Sequence, residues 1–253
     1  MAEKRVVILT AIQSEYLAVR RHLRDCKEVE HDKGNVYEVG QFEDWTVLIA
    51  ELGAGNERAA SEAERAIAFH SPHVVFFVGV AGGLKDVALG DVVAATKIYG
   101  YESGKDDVTF KTRPQAPTSS EALQSRARAE AKKADWLQRR LDSSAARLAL
   151  PKVFVQPIAA GAKVVASTNS ASAKRLKTSY GDAVAVEMEG IGFLTATGFS
   201  QGTLAMVFRG ISDLIDGKSE SDGQGWQEVA ADHASAFAFQ VLSKLSTKVL
   251  LHP

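Results

Sequence analysis

Two short acidic segments hold the residues of this chain best suited to chemistry. Val184-Ala185-Val186-Glu187-Met188-Glu189 ends an apolar run on two carboxylates, and Phe208-Arg209-Gly210-Ile211-Ser212-Asp213 ends another on a third. Carboxylates are almost never fully buried unless paired, so packing alone does not explain Glu187 and Glu189. Ser212 supplies a hydroxyl that can orient Asp213, although a helix or turn cap would use the same two residues. Arg209 falls inside a predicted strand and must be paired if it is buried. Glu15 lies just past the first predicted strand, in a helix's first turn, where the helix dipole by itself would account for it. Carboxyl groups at such positions suit general acid–base work, in which burial can raise the acid's pKa toward neutrality.

The elements that must position these groups alternate between strand and helix. Strands are predicted at 6–10, 36–39, 45–50, 73–80, 91–98 and 152–158, and two more end at Glu187 and Ser212. Helices are predicted over 14–23, from Asn56 to His70, from about Met188, and over 226–249. Ser71-Pro72 breaks the alanine-rich second helix. Such alternation argues for one α/β domain with a mostly buried sheet. Open α/β sheets place ligand-facing groups at strand ends, where the acidic segments fall. Residues 103–119, with Pro114 and Pro117, are predicted as a loop, and 121–148 as a helix with a charged, solvated face. Residues 217–225 are rich in Gly, Ser and Asp and are predicted as a loop before the last helix.

Two glycine-rich turns complete the pattern. Gly53-Ala54-Gly55 lacks the third glycine of a dinucleotide fingerprint, and the chain has no Gly-Lys-Ser/Thr of a phosphate-binding P-loop. In Gly79-Val80-Ala81-Gly82-Gly83 the small residues would let a flat ligand approach the backbone, or would simply make a tight turn.

Composition excludes several classes. A net charge of −1 gives no overall attraction to nucleic acid or to an anionic membrane. Cys26 is the only cysteine, so an intramolecular disulfide is impossible. The six histidines are scattered, so no metal site is expected. No Gly-x-Ser-x-Gly nucleophile elbow occurs. The apolar run at 6–9 is too short for a signal peptide, and nothing approaches the ~20 apolar residues of a membrane span. A soluble, cytoplasmic protein is the expectation.

Taken in order, Thr10-Ala11-x-x-x-Glu15, Gly53-x-Gly55, Gly79-x-Ala81-Gly82-Gly83-Leu84, Gly90-Asp91-Val92-Val93, Val186-Glu187-Met188-Glu189 and Arg209-Gly210-Ile211-Ser212-Asp213 resemble the purine nucleoside/uridine phosphorylase superfamily. Within it they are most similar to the methylthioadenosine/S-adenosylhomocysteine nucleosidase branch. The resemblance covers nearly the whole chain except about 103–150, and it implies a three-layer αβα sandwich around a mixed, twisted sheet. It implies one nucleosidase-like domain over 1–253 with an irregular insertion at about 103–150.

The resemblance also implies hydrolysis of the bond between adenine and ribose, with no cofactor and a small-molecule purine nucleoside or nucleotide as partner. Asp213 would be the acid, oriented by Ser212, and Glu15 the base that holds the attacking water, with Arg209 nearby. Glu189 would bind the ribose hydroxyls, Met188 would pack on the sugar, and Glu187 belongs to the same signature. Backbone around Ala81, Gly82 and Val165 would line the adenine site. A homodimer is implied, the partner covering part of the 5′ side. Where bacterial phosphorylases carry Gly-Asp-Pro-x-Arg, this chain has Thr10-Ala11-Ile12-Gln13-Ser14-Glu15, whose carboxylate would repel phosphate.

Three departures bear on the substrate. Val80 replaces a Ser or Thr near the ribose, and Gly161-Ala162-Lys163-Val164-Val165 replaces Gly-Asp-Ala-Phe-Ile, so Val164 stands where an aromatic would pack on adenine. Segment 103–150 is also longer and more basic than this branch leads one to expect. A 5′-phosphate would favour Arg113, Lys163 or Lys218, which keeps an AMP- or ATP-like substrate as an alternative. A phosphate-dependent phosphorylase and a non-catalytic nucleoside sensor are the others.

Overall fold

A computed structural model describes residues 3–32, 34–140, 150–215 and 225–251. Its centre is a nine-stranded mixed sheet. Strands β1 (Lys4–Thr10), β4 (Trp45–Glu51), β5 (Val74–Gly83) and β11 (Leu204–Leu214) run parallel, with β5 between β1 and β11. On one side β3 (Val36–Phe42) and β2 (Arg24–Glu30) extend the sheet by antiparallel pairing. On the other, β6 (Val92–Gly100) pairs antiparallel with β11 and parallel with β9 (Val153–Ala160), which pairs with β10 (Ala185–Glu187). β10 then crosses the carboxyl end of β5 antiparallel, Val186 opposite Gly82. Strands β5, β11, β6, β9 and β10 therefore close into a ring of pairings, and the functional segments meet where it closes.

Both faces of the sheet are covered, because its central strands carry continuous runs of buried apolar residues. Val6 and Ile8 of β1 enter one core and Val7 and Leu9 the other, as the two-residue period of a strand requires. Against the first face lie α1 (Gln13–Arg20), α3 (Glu121–Glu130), a 3₁₀ turn (Asp135–Arg139) and α6 (Trp226–Ser243). Against the second lie α2 (Asn56–His70) and α5 (Gly190–Thr197). A third apolar cluster joins α4 (Ala171–Ser179) to Tyr101, Val165, Val186 and Ile215. The three-layer arrangement is present. Among the described residues, no helix is long and apolar enough to cross a membrane.

Several boundaries differ from the sequence reading. β2 was not expected, because its Arg-Asp-Cys-Lys-Glu-Val-Glu is charged; it lies at the sheet's edge, mostly exposed, where such residues are tolerated and discourage further pairing. The loop predicted at 103–119 contains a small antiparallel pair, β7 (Gly104–Lys105) and β8 (Lys111–Thr112). The helix predicted over 121–148 ends at Glu130, and residues 141–149 lie outside the described ones. The final helix stops at Ser243, and a short α7 (Thr247–Leu251) follows.

Candidate active site

The strand ends surround a cavity of about 150 Å³. Glu15, Val80, Ala81, Gly82, Val164, Val165, Glu187, Met188, Glu189, Ser212 and Asp213 all line it. Arg209 is the exception among the predicted site residues: it sits behind this lining, fully buried, and binds it together.

Glu15 is held by backbone donors from two strand ends. It occupies the third position of α1 and reaches back, Oε2 accepting from Ala11 N at 2.7 Å and Ile12 N at 3.2 Å. Its other oxygen accepts from Val80 N at 2.9 Å. Burial pushes the Glu15 carboxyl up to about 7, although Arg209 and the backbone donors favour the charged form. Gly79 makes this approach possible: a Cβ there would lie 2.5 Å from Glu15 Oε1 and overlap the Arg209 guanidinium.

Arg209 gathers three carboxylates. Its Nη2 donates to Glu187 and, at 3.0 Å, to Glu189 Oε2, while Nη1 lies 3.9 Å from Glu15 Oε1. The guanidinium also stacks over the Phe77 ring, 4.6 Å from its centroid. Burial opposes its charge, but the three neighbouring carboxylates outweigh burial and hold the pKa above its ordinary value. The sequence required only that a buried Arg209 be paired. That both strand-end glutamates are its partners is visible only once β10 lies beside β5 and β11.

The two glutamates divide their work. Glu187 accepts from Glu189 N at 3.0 Å and Gly190 N at 2.9 Å, so it caps α5 as well as pairing with Arg209. Burial raises the Glu187 pKa, with Arg209 opposing and Glu189 adding to the rise. Helix α5 begins at Gly190 rather than near Met188, which leaves Met188 and Glu189 in the turn facing the cavity. Glu189 Oε1 accepts from Gly55 N at 3.0 Å, which ties β10's end to the turn before α2.

β11 continues beyond Ser212, where the sequence reading ended it, to Leu214. Its register against β5 shifts between Ile211 and Asp213, placing Asp213 opposite Gly82. A bulge of this kind re-aims a side chain. Ser212 Oγ donates to Asp213 Oδ2 at 2.9 Å. A Cβ on Gly82 would come within 3.1 Å of Asp213 Oδ1, so that oxygen faces β5's glycine.

Sequence reasoning missed Ala11, Ile12, Ala54, Val186 and Gln227 as cavity lining. Four of these are apolar residues without a reactive group, and Gln227 lies on α6, far along the chain. Of the basic residues suggested for a 5′-phosphate, Arg113 is exposed and outside the lining. Lys163 does line the cavity, with its ammonium 3.0 Å from Glu102 Oε1. Lys218 and the loop predicted at 217–225, except Gly225, lie outside the described residues.

Known proteins resemble this chain in sequence and fold. A 5′-methylthioadenosine/S-adenosylhomocysteine nucleosidase of Marinomonas sp. MWYL1 is 24% identical over 245 residues, covering 93% of this chain and 96% of its own length. The enzyme of that name from Colwellia psychrerythraea 34H, solved in complex with adenine, superposes with a TM-score of 0.78 at 22% identity, covering 96% of each chain. The futalosine hydrolase of Helicobacter pylori 26695 has a TM-score of 0.77 at 22% identity, covering 96% of this chain and 99% of its own. Residues 5–245 match the phosphorylase superfamily, and the chain belongs to that superfamily.

Proposed function

We propose that the protein hydrolyses the N-glycosidic bond of an adenine nucleoside, such as 5′-methylthioadenosine or S-adenosylhomocysteine, and releases adenine. One observation carries this reading: two carboxyl groups of different setting stand two residues apart along β5, Glu15 at Val80 and Asp213 at Gly82. Asp213 is the acid. Ser212 orients its carboxyl through Oδ2, and that carboxyl delivers a proton to N7 of the base, without which adenine leaves poorly. As the bond breaks, the ribose gains positive charge, and Glu189 accepts from its hydroxyls while Met188 packs on the sugar.

Glu15 is the base. A water held by its carboxylate attacks the anomeric carbon and gives a proton to Glu15, whose Oε1 lies 3.9 Å from the buried Arg209 Nη1. The free sugar forms as the protonated base departs. Water is favoured over phosphate because Arg209 already faces three carboxylates. Among the described residues the one cation that lines the cavity, Lys163, is paired with Glu102. The named activities of the relatives support the same reaction class. A homodimer, with a second copy covering part of the 5′ side, and a cytoplasmic location belong to the same reading; light scattering of the purified protein checks the dimer.

The test is base release, followed by chromatography, from methylthioadenosine, S-adenosylhomocysteine, adenosine, AMP and ATP. Preference for the thio-nucleosides is expected. Preference for AMP or ATP would move the protein to nucleotide hydrolysis, and no release from any of them would leave a nucleoside sensor.

A further inference from the structure

Lys163 lines the cavity but has no part in the chemistry above. Its loop is anchored on three sides. Gly161 N donates to Glu187 O at 3.1 Å, Asn56 Nδ2 donates to Gly161 O at 3.4 Å, and Ala162 N donates to Glu102 Oε2 at 2.6 Å. The loop also has a definite side of the cavity. Val165 packs with Val186 and Ile215, and both Val186 and Asp213 pair with Gly82. Val165 thus lies on the Asp213 side of the cavity, and Lys163 and Val164, just before it in the chain, line the same cavity. Val164 is itself 56% exposed.

An ammonium has three donors and no acceptor. Adenine presents its amino group, also a donor, at the far edge of its six-membered ring, whereas a 6-oxopurine presents a carbonyl acceptor there. A donor facing a donor leaves both unpaired, which is how a polar site rejects the wrong ligand. Lys163 is free to turn inward. Its side chain is 72% exposed, and an ion pair so exposed is weakly held. Glu102 would keep the Ala162 N–H and the attraction of Arg175 after Lys163 leaves.

We infer that Lys163 is a specificity-determining residue that extends the site to 6-oxopurine nucleosides, its ammonium exchanging Glu102 for the base's carbonyl. This rests on the nucleosidase reading. The reaction is otherwise unchanged: water adds to the anomeric carbon and the base leaves with its proton.

The experiment compares kcat/KM for inosine and adenosine, by base release, in wild type, Lys163→Met and Glu102→Gln. Binding of free hypoxanthine and adenine to the same three proteins is measured by calorimetry. Lys163→Met, which keeps the stem and removes the charge, should shift both ratios toward adenine by tenfold or more. Glu102→Gln, which releases the ammonium, should shift them the other way. Unchanged ratios in Lys163→Met would overturn the inference, as would failure of wild type to bind hypoxanthine. If the bases bind but no nucleoside is cleaved, the hydrolytic reading fails, and the binding ratio alone decides the role of Lys163.

Discussion

At the scale of single residues the account turns on Glu15 and Asp213. Because burial holds Glu15 near 7, it loses its proton only as pH rises through that value. Turnover that uses it as a base should therefore fall away below about pH 7, and a kcat/KM profile flat down to pH 5 would contradict the assignment. Replacing either group removes a positioned proton-transfer partner, an effect of about 10²–10⁴-fold. Glu15→Gln and Asp213→Asn should each lose kcat on that order while still binding free adenine, as calorimetry would show. Glu15, Asp213 and Arg209 were all picked out by residue type and order, and the structure brings the first two to one cavity with Arg209 behind its lining. Their mutual arrangement was not legible in this way, since Arg209 meets Glu187 and Glu189 only through strand pairings between distant segments. Gly79 was read as part of a turn or of a surface for a flat ligand, yet it leaves the space that Glu15 and Arg209 occupy. Gly79→Ala should therefore cost activity by at least tenfold and stability by about 1–3 kcal/mol, the usual penalty for forcing atoms into a packed site. Unaltered kinetics and an unaltered urea midpoint would show that the site has room.

At the scale of elements, the crossing of α2 and α5 positions Glu189, the proposed ribose ligand. Asn56 Oδ1 accepts from Gly192 N at 3.0 Å, and a Cβ on Gly192 would overlap the main chain of Asn56. Parting these helices would also part Gly55 N from Glu189 Oε1, now 3.0 Å away. Gly192→Ala should accordingly raise KM more than it lowers kcat, and lower stability by about 1–3 kcal/mol; a change in kcat alone would contradict the coupling. The apolar strands were plain in the sequence because burial on both faces demands near-continuous Val, Ile, Leu and Phe. β2 was hidden because an edge strand that faces solvent carries no such signal. The helix predicted to Leu148 was too long for a related reason: charge-rich sequence has good helical propensity, but helices in proteins persist where packing holds them. Leu123 and Ala127 of α3 are buried, and the path turns after Glu130 into the 3₁₀ segment that buries Trp136.

At the scale of the whole molecule, two helical layers cover the sheet, and titratable groups far from the site are packed against its core. His22 packs against Phe239, ring centroids 4.4 Å apart, and its Nε2 lies 3.2 Å from Ser235 Oγ. Burial, with Arg139 adding, depresses the His22 pKa to about 4. Below its ordinary value near 6.5 the unfolded chain takes up a proton that the folded one refuses, so the stability contributed by neutral His22 declines as pH falls from about 6.5 to about 4. The raised Glu15 works in the opposite direction, hence the informative quantity is a difference. The stability advantage of wild type over His22→Phe, from urea unfolding, should shrink between pH 7 and pH 5. A constant difference would mean that His22 titrates normally. The three-layer architecture was legible from the alternation of elements and from the family resemblance. The closure of β10 onto β5 was not, because β10 is only three residues long and its partners come from distant parts of the chain.

That closure brings Glu187 and Glu189 to Arg209 and commits the arginine to carboxylates rather than to an anionic nucleophile. The most direct test is to cleave methylthioadenosine with and without inorganic phosphate and identify the sugar product. A rate independent of phosphate and a free sugar are predicted. A rate that requires phosphate, with a sugar 1-phosphate as product, would contradict the assignment of Glu15 as the base that activates water.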